Sequence, residues 1–137
     1  MSIIWPWRII IYMKKIIQAT IATMLWIGVS EFFRNQLLFV ETWRNHYTNN
    51  TMQFPEKPVN GMVWMLWSLL LAGCIIFLRK KLSRNETLVI GWVMAFVLMW
   101  LTIGNLGVLP FSLLWFAVPL SVLEVYVAVR IAEKCGK

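Results

Sequence analysis

Apolar and polar positions alternate in long blocks along this chain, with four extended apolar runs separated by short polar stretches. About 20 residues on a helix rising 1.5 Å per residue cross the roughly 30 Å hydrocarbon layer of a bilayer. The runs at about 16–35, 61–78, 87–105 and 110–132 therefore predict four transmembrane helices in a small bundle, an all-α integral membrane fold in a single domain. The first helix is expected to project to about Trp43, and residues 45–60, rich in Asn and Thr and carrying Pro55 and Pro58, predict a loop. Arg79-Lys80-Lys81 stops the second run, and Gly104-Asn105-Leu106-Gly107 predicts a tight hairpin after the third. Pro110 fits the opening of the fourth helix, where no N–H is needed, whereas Pro119 predicts a kink or a freed carbonyl satisfied by a neighbour. At the start, Trp5, Pro6, Trp7, Arg8 and Tyr12 within residues 1–13 predict an interfacial segment. No small-residue cleavage site follows the run at 16–29, so the first span is expected to be retained.

Composition agrees with the pattern. The chain is 60% hydrophobic and 14% charged, against about 25% charged for soluble domains. The net charge of +7 does not point to nucleic acid, because its cations sit in clusters at the edges of the apolar runs. Of the 13 Lys and Arg, those at 8, 14, 15, 79, 80, 81, 84, 130, 134 and 137 share one side of the predicted topology, leaving Arg34, Arg44 and Lys57 opposite. That asymmetry predicts cytoplasmic termini in a bacterial or archaeal cytoplasmic membrane. Cys74 and Cys135 lack ligand-like company, and His46 is the single histidine, so neither a metal, a disulfide nor a cofactor is expected. Trp43, Trp64, Trp92 and Trp115 fit interfacial belts, whereas Trp26, Trp67 and Trp100 read as packing residues.

Candidate chemistry is concentrated where the first span ends. On a regular helix Thr20, Thr23, Glu31, Arg34, Asn35, Glu41, Thr42, Asn45 and His46 fall on one polar stripe, with Leu25, Trp26, Val29, Phe33, Val40 and Trp43 on the opposite, lipid-facing side. A charge inside the hydrocarbon costs at least about 2.5–3.5 kcal/mol on insertion scales, so partners are expected. Glu31 and Arg34, three residues apart, suit an ion pair; Arg34 can alternatively reach Glu41 or an anionic ligand. Asn105 is placed to complete this outer cluster. Glu124 is a second, inner titratable group, with no charged neighbour at helical spacing on its own span, and Ala117, Ser121 and Ala128 on its face predict close helix packing. Measured from Lys15 and from Pro110, Glu31 and Glu124 come out about 15 Å apart in depth, which argues against a direct acid pair.

The chain carries no nucleotide-binding, nucleophile-elbow or zincin pattern. Two intramembrane carboxylates at different depths favour a small transporter or channel component, using Glu31, Arg34, Asn35, Glu41, Asn105 and Glu124 as a ligand or ion pathway. Four helices enclose little volume, so the bilayer is joined as a partner by a second copy or another membrane subunit. The competing readings are an accessory subunit of a larger membrane complex and a membrane enzyme acting on a lipid or isoprenoid-like substrate.

Overall fold

Proline at a first helical position gives up an N–H that would have had no partner, and the first helix, α1, opens there, running Pro6–Phe32. The computed structural model describes residues 6–135. The part of the expected interfacial segment from Pro6 onward is therefore continuous with the first span, while residues 1–5 lie outside the described residues. Among the described residues the protein is all-helical, without strands, and has four helices long and apolar enough to cross a membrane.

The first of these, Trp7–Leu38, ends in a π-helical turn, Phe33–Leu38. Phe39 (φ −121°, ψ 12°) then breaks the helix before α2, Val40–Asn49. The first helical rod thus stops at Leu38, short of the expected end near Trp43, while α2 carries helix through residues 45–49 of the expected loop, and the helical phase is reset between them, because a π turn inserts a residue into the 3.6-residue repeat. Helix α3, Pro58–Lys81, opens on proline and closes on Arg79, Lys80 and Lys81, cations that favour a helix C-terminus. A two-residue connection follows. Ser83 and Glu86 cap α4, Arg84–Trp92, reciprocally: the Ser83 hydroxyl accepts from the Glu86 N–H, and the Glu86 carboxylate accepts from the Ser83 N–H at 2.9 Å.

A second π turn, Val93–Val97, joins α4 to α5, Leu98–Asn105. The expected hairpin follows, with Gly107 at φ +71°, a conformation glycine adopts at little cost. Pro110 precedes a 3₁₀ turn, Phe111–Leu113, and α6, Leu114–Cys135, contains Pro119 without interruption. Helix α1 packs on α3 and α6, and α6 on α3 and α4. Ala19, Ala72, Ala117, Ser121 and Ala128 are buried, so small residues let the helices approach around Ile27, Ile75, Phe96, Val125 and Val129. The expected buried face of the fourth span is thus present. Outward positions carry Leu25, Val29, Phe33, Leu70, Phe77 and Leu101 exposed.

Candidate functional site

The buried face of α1 and of the π turn that follows it carries Thr23, Ile27, Glu31 and Arg34, which brings two charged groups into the bundle at 5% exposure each. Arg34 donates to Glu31 Oε1 through Nη2. Its Nη1 lies 3.1 Å from Glu124 Oε2 on α6, and Glu124 is 1% exposed. Glu31 and Glu124 therefore do not occupy separate depths: both are held by one guanidinium. The reason is the height of the hairpin between the third and fourth spans. His46 Nε2 lies 2.8 Å from the Gly107 carbonyl oxygen, so that hairpin stands beside α2, above the level of Arg34. From Glu31 to His46 is about 22 Å along the chain at helical rise, and from Phe111 down to Glu124 about 20 Å, so the two carboxyls meet.

Other polar groups lock this triad. Ser30 Oγ donates to Glu124 Oε2 at 2.9 Å, and Trp26 Nε1 donates to the Glu124 carbonyl at 2.9 Å. Asn35 Nδ2 donates to Glu31 Oε2 at 2.7 Å, while Trp43 Nε1 donates to Asn35 Oδ1 at 3.1 Å. Trp26 and Trp43, expected to face lipid, are instead half-buried because each sits at the flank of the rod and turns its indole N–H inward. The Arg34 guanidinium also stands 5.0 Å from the centre of the Phe96 ring. Arg34 and Phe96 both lie in π turns, so the two local departures from α geometry meet at the triad. Glu124 Oε1 is buried without a hydrogen-bond partner.

Two expected members are absent. Glu41 is exposed and lies 3.4 Å from Arg44, not Arg34, because the π turn and the break at Phe39 rotate it off the stripe. Asn105 is exposed at the end of α5, nine residues beyond Phe96 and so about 13 Å further along the helix. Phe96 carries no signal in the sequence, and Trp26 reads there as a lipid-facing or packing residue rather than a member of the site. The available signal was charge balance: two acids and one arginine within apolar spans imply a shared partner.

Beside the triad lies a cleft of about 890 Å³ between α1 and the first half of α3. Glu31 and Asn35 form part of its wall, with Gly28, Phe32, Trp64 and Met65. The connection from Phe54 to Pro58 closes one side, held by Arg44 Nη2 on Glu56 Oε1 at 2.9 Å and by Phe54 packed edge-on to Tyr47 at 5.4 Å. Partial burial among these rings raises the Tyr47 phenol above its ordinary value and keeps it protonated. Among the described residues no three His, Cys, Asp or Glu side chains gather as metal ligands. At the opposite end Glu133 gathers Arg79 at 2.7 Å, Arg84 at 2.9 Å and Arg130 at 3.6 Å. No known protein family, curated protein or solved structure matches this chain.

Proposed function

We propose that the protein is a small transporter, or the membrane component of one, in a bacterial or archaeal cytoplasmic membrane, with both termini on the cytoplasmic side. Apolar side chains exposed along all four long helices support insertion, and the concentration of Lys and Arg at the end carrying both termini supports the orientation. The cleft then lies in the outer half of the bundle, and a second copy or partner subunit completes the passage.

The observation that carries the transport reading is the composition of the triad. Two buried carboxyls share one guanidinium, so with both ionised one negative charge is left over at side chains at most 6% exposed. A proton or a cation balances it. Glu31 contacts Arg34 and also borders the cleft, so occupancy of the cleft and charge at the triad are linked through one side chain. A proton-coupled carrier needs such a link: each bound solute changes which proton the site holds, and the reverse.

Proteoliposomes with an internal pH dye, challenged with amines, amino acids, sugars and metal ions under an imposed pH gradient, test this. At least one class should drive a proton flux that reverses with the gradient and vanishes in Glu124→Gln. No flux across the classes from correctly folded protein would overturn the transport reading.

The same adjoining of an acid pair and a cleft supports a second reading, a membrane enzyme using Glu31 or Glu124 as acid or base on a lipid-like substrate. A copurifying lipid that changes mass with wild type and not with Glu31→Gln would favour it.

A further inference from the structure

The cleft has a charge pattern that differs from the rest of the chain. Although the net charge is +7, Glu31, Glu41, Glu56 and Glu124, four of the six carboxylates, gather in or beside this end of the bundle. Arg44 is tied to both Glu41 and Glu56, and Lys57 is exposed at the rim, so the depth of the cleft presents acid. That acid is Glu31, 95% removed from solvent and part of a triad one positive charge short. The walls are aromatic and thioether: Phe32 is 60% exposed, Trp64 43% and Met65 45%, so the cleft opens sideways through the apolar flank of the bundle. Gly61 belongs to its wall, and a side chain added there would project into open space.

We propose that this cleft binds an amphiphilic amine dissolved in the membrane, its ammonium at the Glu31 carboxylate and its apolar body along Phe32, Trp64 and Met65. The proposal names the substrate class of the transport site and rests on the membrane placement given above. An ammonium supplies the positive charge that the triad lacks, and aromatic faces attract a cation that has left water. An anionic amphiphile would meet the acidic wall, and a neutral one would gain nothing from it, because the site would have to keep its balancing proton. Entry from the bilayer suits a ligand with an apolar body, because the exposed walls lie where acyl chains would pack.

Equilibrium binding in lipid nanodiscs, followed by tryptophan fluorescence, tests the proposal independently of any flux. Dodecyltrimethylammonium should give a saturable change that is lost in Trp64→Phe, while dodecanol and dodecyl sulfate should neither produce it nor compete. Glu31→Gln should weaken the affinity at least about tenfold, equivalent to about 1.4 kcal/mol. Gly61→Leu fills the cleft without touching the charged groups and should weaken it as much, which guards against a folding defect in Glu31→Gln. Equal binding of dodecanol, or an affinity unchanged in Gly61→Leu, would overturn the proposal, as would unchanged affinity in folded Glu31→Gln. Saturable binding without proton flux would instead leave this site standing and remove the transport reading.

Discussion

The triad Glu31, Arg34 and Glu124 and the network around Glu133 are built from the same two residue types in opposite proportions. Inside the bundle two acids share one arginine, and the side chains are at most 6% exposed. Around Glu133 three arginines share one acid, and their side chains are 28%, 46% and 39% exposed. Water and salt can reach the three arginines around Glu133, whose own side chain is 9% exposed, whereas nothing substitutes for a missing partner in the interior. Ion pairs of similar length therefore have different consequences: the network around Glu133 fastens helix termini, and the triad holds one more carboxyl than guanidinium beside a cleft.

Removing Arg34 should break this contrast most severely. Arg34→Leu leaves two buried carboxyls without their cation and should cost about 3–5 kcal/mol, read as a fall in chemical-denaturation midpoint in detergent. Ser30→Ala removes a donor from the buried Glu124 carboxylate and should cost about 1.5–3 kcal/mol by the same measurement. Trp26→Phe keeps the ring contact and loses only the bond to the Glu124 carbonyl, for about 0.5–1.5 kcal/mol. Glu133→Gln leaves three arginines that water already reaches and should cost about 1 kcal/mol or less, and the difference from wild type should shrink further in high salt. A loss from Glu133→Gln as large as that from Arg34→Leu would erase the distinction.

How far the sequence reveals each region follows from how local its causes are. The four spans are set by runs of apolar residues, and Pro58, the basic cluster at Arg79 and the glycine of the hairpin mark their ends within the sequence itself. Ser83 and Glu86 also spell a capping box, so α4 could have been started at Arg84 rather than near Thr87. The triad is different, because Arg34 and Glu124 are 90 positions apart and their meeting depends on how high the hairpin at Gly107 stands against His46. A depth ruler that starts each span at its own polar edge misses this. Regular helical periodicity likewise groups Glu41 with Arg34, since nothing local announces the π turn that separates them. The buried stripe through Thr23, Glu31 and Arg34 was legible; its partner was not.

A double-mutant cycle on Glu31→Gln and Glu124→Gln, read by unfolding free energy in the same detergent, tests the shared arginine most directly. Either single variant leaves Arg34 with one carboxylate, and the pair leaves it buried with none. The double variant should therefore lose more than the sum of the singles, by about 0.5–3 kcal/mol. Losses that add to within about 0.3–0.5 kcal/mol would mean that the two carboxyls act independently, and would contradict a single site held by Arg34.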